Sequence, residues 1–334
     1  MTLDMNETTS DHAGIGLTFD QTVPCRLAHR RAVGEVFVTD SSRLTNGDVW
    51  VAIQLPRAHS LWADRSIAIH DPLSVAEAAR QGTFVALHRH CGVPLGLPFS
   101  LKKWQFGVVD IGLFADNERT PIEGFVRYRV GKRVGLGSNF EQLGLEGRVT
   151  IGGELAMTAN AEIVFFPPDD YAAIRNFHRS GMTSAGPDAA NLPKRLDPSV
   201  VGRSDPRNIV IGDCAEQLGS RFPLVVDLGH PSFFDHSYDH APGPLLVEGF
   251  RQASIVAATR AGALDTPACV VTGCDVTFSH FGELDALLEC SATVVGGDSG
   301  AATVEVGLHQ KGRELAEGTM ELSPAPDPAA GMHR

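Results

Sequence analysis

The strongest constraint in this sequence is that part of it occurs twice. The run His59-Ser-Leu-Trp62, then His70-Asp-Pro-Leu73, then Glu77-Ala-Ala-Arg80-Gln81 returns as His230-Pro-Ser-Phe233, His240-Ala-Pro-Gly243 and Glu248-Gly-Phe-Arg251-Gln252. The copies stand 171 residues apart at three positions (59 to 230, 77 to 248, 80 to 251) and 170 apart at a fourth (70 to 240). A constant spacing across polar residue types marks a duplication, so each copy must be one structural unit of a pair. A chain of 334 residues suits two cores of about 150 residues each.

Each copy predicts a buried helix. In the first, Asp71 is the N-cap and Pro72 the first helical residue of a helix over 72–91 that Gly92 stops. In the second, Gly243, Pro244 and Gly262 play these parts for a helix over 244–261. Apolar residues surround most of the circumference of both, which places the helices inside the protein. Runs of β-forming residues flank them at 34–38, 50–53, 107–111, 124–130, 149–151 and 159–166, and again at 209–211, 224–226, 270–278, 289–295 and 303–308. The expected class is α+β, with a curved antiparallel sheet wrapped around one long helix in each copy. The proline-bearing stretch 179–207 reads as a linker between units at 25–178 and 208–322, with tails at 1–24 and 323–334.

A net charge of −12 disfavours nucleic acid and anionic membranes as partners. Arg127, Arg129, Lys132 and Arg133 form the densest basic run, which reads either as a local anion patch or as a solvated strand and turn. No apolar stretch reaches membrane-spanning length, and Asp4 and Glu7 stand where a signal peptide carries basic charge, so the expected location is the cytoplasm. Six scattered cysteines without a C-x-x-C pair suggest reduced thiols, with neither a disulfide framework nor a metal site. No nicotinamide, flavin or ATP motif is present, so no cofactor is expected.

The stretches His29-Arg-Arg-Ala-Val-Gly-Glu-Val-Phe-Val-Thr-Asp40, Pro56-Arg-Ala-His-Ser60, 70–81, Val201-Gly-Arg-Ser-Asp-Pro-Arg-Asn208 and 235–252 together resemble the AfsA-like hotdog family of A-factor (γ-butyrolactone) biosynthesis. The second copy is also similar to the β-hydroxyacyl-ACP dehydratases at Gly229-His-Pro231, Pro242-Gly243 and Glu248, although its histidine-to-glutamate interval is four residues longer and the first copy lacks the Pro-Gly. The resemblance implies a tandem double hotdog packed as an internal pseudo-dimer. It also implies two candidate sites, Glu248 with His59 and Glu77 with His230, both or only one of them active.

The family reaction moves a β-ketoacyl group from acyl carrier protein to the hydroxyl of dihydroxyacetone phosphate. It needs a base, an oxyanion site and a cation for phosphate. Glu248 and Glu77, desolvated on apolar helices, are the expected bases, their pKa values raised by burial. Arg251 and Arg80 lie three residues on and share a helical face with them, as phosphate ligands or as structural partners of a buried charge. His230 and His59 are expected to orient the thioester or share in proton transfer, and His240 and His70 to shape the turn before each helix. The helix N-termini at Gly243 and Pro72 are expected to offer backbone N–H groups to the oxyanion, and Arg203 is a weaker phosphate candidate. An acyl-thioester dehydratase or thioesterase, and a non-catalytic acyl-chain binder, remain as rival readings. Pairing of two copies as a homodimer is left open.

Overall fold

The computed structural model describes residues 16–135, 141–179, 192–213, 220–298 and 300–325. In chain order the first half contains β1 (Val38–Arg43), β2 (Val49–Leu55), α1 (Pro72–Val85), β3 (Phe99–Val108), β4 (Ile122–Val130), β5 (Val134–Gly135), β6 (Glu141–Ile151), β7 (Glu154–Phe165) and α2 (Pro168–Arg179). The second half contains β8 (Arg221–Pro223), α3 (Gly243–Arg260), β9 (Cys269–Phe278), β10 (Glu289–Gly296), β11 (Ala302–Gln310) and β12 (Arg313–Pro324).

Local chemistry sets the ends of the two long helices. Leu73 N–H donates to Asp71 Oδ1 at 3.0 Å at the start of α1, and Pro72 occupies the first turn, where no donor is needed. The helix continues through a π turn at Ala86–His90, and Gly92 ends it with φ of 67°. α3 begins one residue earlier than predicted, at Gly243 with Pro242 as its N-cap residue, and Gly262 (φ 71°) lies just past its end.

The strands form one antiparallel sheet in the order β1-β2-β4-β6-β7-β3-β9-β12-β11-β10-β8, with β5 added beside β6. The halves join where β3 pairs with β9, Lys103 opposite Thr277 through to Gly107 opposite Gly273. Read outward from that junction, β7, β6, β4 and β2 mirror β12, β11, β10 and β8, so the sheet carries the pseudo-twofold that the duplication predicts. α1 packs inside the first half against β2 and α3 inside the second against β10 and β11. Thirteen of the 14 residues of α1 and 13 of the 18 of α3 are buried.

The predicted strand at 34–38 is a 3-10 turn at Val33–Glu35 followed by β1. The reason is a side chain that takes the place of a neighbouring strand: Gln81 donates to Glu35 O (2.9 Å) and accepts from Phe37 N–H (2.9 Å). Gln252 does the same in the second half with Asn208 O (2.7 Å) and Val210 N–H (2.9 Å), leaving only isolated bridges where strands at 209–211 and 224–226 were expected. The strand expected at 107–111 is the end of the longer β3, and a 3-10 turn at Ile111–Phe114 follows it. α2 was not predicted. It is tied to the second half by Arg175, whose guanidinium donates to Glu283 (2.5 and 2.8 Å) and Asp239 (2.9 Å). Residues 192–207 of the expected linker, with Asn208 at the start of the expected second unit, form 3-10 turns at Pro198–Val201 and Pro206–Asn208 and bury Arg203 and Asn208. Among the described residues no helix is long and apolar enough to cross a membrane.

α3 packs tightly at Gly249, where a Cβ would lie 2.7 Å from Leu224 Cδ1 and 3.0 Å from Cys290 Sγ. Gly249→Val should therefore overpack the second half and cost about 1–3 kcal/mol. Thermal denaturation followed by circular dichroism should show a lowered midpoint with an unchanged native spectrum, and an unchanged midpoint would disprove this packing.

Candidate active site

Each long helix presents one buried glutamate, and each glutamate is held in the same way. Arg30 Nη2 donates to Glu77 Oε1 (2.5 Å), Arg80 donates through Nε to Oε2 (2.7 Å) and through Nη2 to Oε1 (2.8 Å), and Gln81 Nε2 donates to Oε1 (3.0 Å). In the second half Arg203 Nη2 donates to Glu248 Oε1 (3.0 Å), Arg251 to Oε2 through Nε (3.0 Å) and to Oε1 through Nη2 (2.9 Å), and Gln252 to Oε1 (2.6 Å). Both carboxylates are almost wholly buried. Arg30 and Arg203 are equivalents under a spacing of 173, which Glu35 and Asn208 also obey.

This geometry reverses the expected titration. Burial alone pushes each carboxyl up, but two guanidinium groups and an amide outweigh it and hold both Glu77 and Glu248 down at about 2. Both are fixed anions at neutral pH, with every oxygen engaged.

The histidine turns cross between the halves. Arg30 Nη1 donates to Ser232 O (3.3 Å) in the turn that begins at His230, and Arg203 Nη1 donates to Leu61 O (2.6 Å) and Asp64 O (2.7 Å) in the turn that begins at His59. The imidazoles themselves turn inward. His59 Nδ1 accepts from Leu61 and Trp62 N–H (3.2 Å each), and His230 Nδ1 accepts from Ser232 and Phe233 N–H (3.3 Å each). Their Nε2 atoms face Glu35 Oε1 (3.4 Å) and Asn208 Oδ1 (3.1 Å), so neither ring reaches a helix glutamate. Burial holds His230 down at about 4, which keeps it neutral in its turn.

The two halves differ in what lies in front of the clamp. Arg80 lines a cavity of about 410 Å³ between the halves, together with His29, Phe84, the segment 96–101 that leads into β3, Tyr171, His236, Tyr238, His240, the start of α3 and His280. Arg251 faces a cavity of only about 20 Å³, whose wall includes Arg65, Ile67, Pro72, Gly202 and Pro267. Position by position, His236, Tyr238 and Gly243 are replaced by Arg65, Ile67 and Pro72 at a spacing of 171, and His29 by Gly202 at 173. A Cβ on Gly202 would meet Pro267 O at 2.6 Å, so nothing larger fits there. The chain is left-handed at both equivalents, φ 68° at Gly202 and 53° at His29. Retaining a histidine in that strained conformation fits a side chain needed in the cavity.

The helix starts differ too. Gly243 N–H has no hydrogen-bond partner among the described residues and lies in the cavity wall. Pro72 has no N–H, and Asp71 already takes the donor from Leu73, so the expected oxyanion donor in the first helix is absent. His240 lines the cavity, whereas His70 is buried 3.9 Å from Asp116. The basic run at 127–133 is largely neutralised, Arg127 by Asp48 (2.7 Å), Arg133 by Glu141 (3.2 Å) and Arg129 by Glu146 (3.9 Å).

The sequence reading missed Arg30, His29, His236 and Tyr238. The doubled Asp235-His236 and Asp239-His240 four residues apart, just before a predicted helix start, was the available signal for the latter pair.

A long buried helix wrapped in each half by antiparallel strands, with a cavity lined by both halves, defines a tandem hotdog protein. The chain belongs to the A-factor biosynthesis hotdog domain family, whose profile matches residues 16–167 and 184–326. It is similar to the 2-oxo-3-(phosphooxy)propyl 3-oxoalkanoate synthase of Streptomyces virginiae, 33% identical over 86% of this chain and 93% of the relative. The protein of that name from Streptomyces griseus is 30% identical over 88% and 93%. Among solved structures it is similar to the dehydratase domain of a mycocerosic acid synthase-like PKS, at 13% identity and a TM-score of 0.48 over 91% of this chain and 99% of that one.

The clamps predict a specific acid response. Glu77 and Glu248 titrate at about 2 when folded against an ordinary 4.5, so the stability they contribute is complete above about pH 4.5 and is lost as pH falls toward 2. Glu248→Gln leaves Arg203 and Arg251 without their counter-charge and should cost on the order of 3–5 kcal/mol at pH 7. In urea denaturation the gap between wild type and variant should narrow at pH 3, and a gap independent of pH would contradict the clamp.

Proposed function

We propose that this chain transfers a β-ketoacyl group from an acyl carrier protein thioester to the hydroxyl of dihydroxyacetone phosphate, in the cavity of about 410 Å³ that residues of both halves line. The observation that carries this reading is the presence, in the wall of one cavity, of a backbone N–H at Gly243 with no partner among the described residues and of the Arg80 guanidinium. The first suits the thioester oxyanion and the second an anionic acceptor. The product in the name of the Streptomyces relatives, an ester of a 3-oxoacid with a phosphorylated hydroxyketone, has these two halves.

Glu77 does not line the cavity, but it fixes the guanidinium that does. With Nε and Nη2 of Arg80 bonded to Glu77, Nη1 has no partner among the described residues and is available for a phosphate oxygen. The ring of Phe84 lies 4.9 Å from the same guanidinium and, with Leu97, Phe99, Leu246 and Phe278, gives the acyl chain an apolar wall. In this reading Glu248, Arg251 and Arg203 hold the second half together, and His59 and His230 hold the crossing turns. The units at 25–178 and 208–322 then act only as a pair, because Arg80 comes from one and Gly243 from the other. The reaction runs without a cofactor, in the cytoplasm.

Mass spectrometry should show the phosphorylated ester only when a β-ketoacyl thioester and dihydroxyacetone phosphate are both present. Free acid or enoyl thioester, formed equally well without the acceptor, would make the protein a thioesterase or dehydratase instead. Arg80→Ala should raise the acceptor KM more than it lowers kcat, and should matter much less with unphosphorylated dihydroxyacetone. Arg251→Ala should lower the melting temperature instead.

A further inference from the structure

With Glu77 locked as a fully bonded anion, the reaction lacks a base, and the cavity wall offers four histidines for the part, His29, His236, His240 and His280. We infer that His236, oriented by Asp235, is the general base that takes the proton from the acceptor hydroxyl. This rests on the acyl-transfer reading above.

The Asp235 carboxylate is almost wholly buried. It accepts from Arg31 N–H (2.7 Å) and Ala32 N–H (3.4 Å), and Arg30 Nη1 lies 3.7 Å away. Although burial pushes its pKa up, these donors and His236 bring it below the ordinary carboxylate value, so it is ionised. His236 Nδ1 lies 2.6 Å from Asp235 Oδ1 and must carry the proton of that bond. Nε2 is therefore the lone-pair nitrogen, and it has no protein partner among the described residues. The ring lines the cavity beside Tyr238, at 4.1 Å between centroids. An imidazole whose Nδ1–H is held by a buried carboxylate and whose Nε2 is open to substrate is built for proton transfer.

The duplication supplies an internal control. Asp64, the equivalent of Asp235, also accepts two consecutive N–H groups from the opposite half, Ser204 (2.8 Å) and Asp205 (3.1 Å). The aspartate thus locks the crossing loop in both halves without needing a histidine. The residue after Asp64 is Arg65, bonded to Asp116 (2.6 Å) and Ile67 O (3.2 Å). The histidine stands only where there is a cavity for it to face.

Of the other three histidines, His280 is engaged at Nε2 by the Arg313 guanidinium, and His29 and His240 are held in other ways. His29 Nε2 lies 2.7 Å from His88 Nε2, and His88 Nδ1 lies 2.9 Å from Val93 O. Burial, His88 and Arg80 hold His29 down at about 3, too weak a base for an alcohol at neutral pH. His240 is bonded to Asp239 (2.6 Å), but that carboxylate also receives Tyr171 Oη (3.0 Å) and Arg175 Nε (2.9 Å) and serves to anchor α2.

In the step itself, the hydroxyl oxygen bonds to the thioester carbon as its proton passes to His236 Nε2. The carbonyl electron pair moves onto the oxygen facing Gly243 N–H. Collapse re-forms the carbonyl, breaks the C–S bond and returns the proton from the imidazolium to the departing sulfur, releasing free thiol and ester.

The experiment is the pH dependence of ester formation by the whole chain, wild type against His236→Gln and Asp235→Asn. Facing His236 are Asp235 and Tyr238 from its own turn, and His29, Arg30 and Arg80 from the first half. Tyr238 is raised by burial and His29 lies far below neutrality, so neither titrates between pH 5 and 8. Wild-type kcat should rise through that range to a plateau. His236→Gln should lower plateau kcat on the order of 10²–10⁴-fold and abolish the rise, with the acceptor KM little changed. Asp235→Asn should retain a rise of smaller amplitude. If the wild type forms ester while its kcat is flat from pH 5 to 8, or His236→Gln keeps both rate and rise, the base is another group. That first result needs no variant to fold. If the wild type forms no ester at all, the functional reading fails before this one is reached.

Discussion

The structure depends on a carboxylate buried where no lone carboxylate could survive. Glu77 and Glu248 sit inside the two helices that the sheet wraps, and each is admitted by two guanidinium groups and one amide. One arginine of each set lies on the helix, and the other arrives from the segment before the first strand of the same half. That second arginine reaches on to backbone carbonyls in the crossing turn of the opposite half. Helix, entry segment and partner half are thus held by one charge cluster, and the β3–β9 pairing completes the join.

Because the cluster occurs twice, only one copy has to face substrate. In the second half the clamp is covered: Gly202 admits no side chain, Pro72 offers no donor, and Arg65 is engaged with Asp116. At the first clamp a histidine in left-handed conformation, together with an aspartate-held histidine and a tyrosine from the other half, lines the cavity beside Arg80 instead. The shared glutamate, arginine and glutamine are therefore the frame. The residues that differ between copies carry the chemistry we assign.

This explains what the sequence made legible. The repeat spacing, the caps at Asp71, Gly92 and Gly262, and the fold class follow from local chemistry and periodicity, and all are present in the structure. The repeat also led attention to Glu248 and Arg251, because residues that recur stand out when a chain is aligned with itself. His29 and His236 do not recur, and their significance depends on a cavity formed by segments some 200 residues apart, which periodicity cannot reveal. The reversed titration of the glutamates was hidden for a related reason. Burial was readable from the apolar helix, but the second arginine of each clamp comes from a segment without periodic pattern. The same holds for the 3-10 turns at Val33–Glu35 and Pro206–Asn208, where a glutamine side chain replaces a neighbouring strand.

The central claim, that one of two duplicated half-sites binds substrate, is tested most directly by a crystal structure with a non-transferable 3-oxoacyl thioether analogue of pantetheine. The account predicts one analogue per chain, its carbonyl oxygen at Gly243 N–H and its chain against Phe84 and Phe99. Density beside Arg251 between Asp64 and Cys269, alone or in addition, would contradict it.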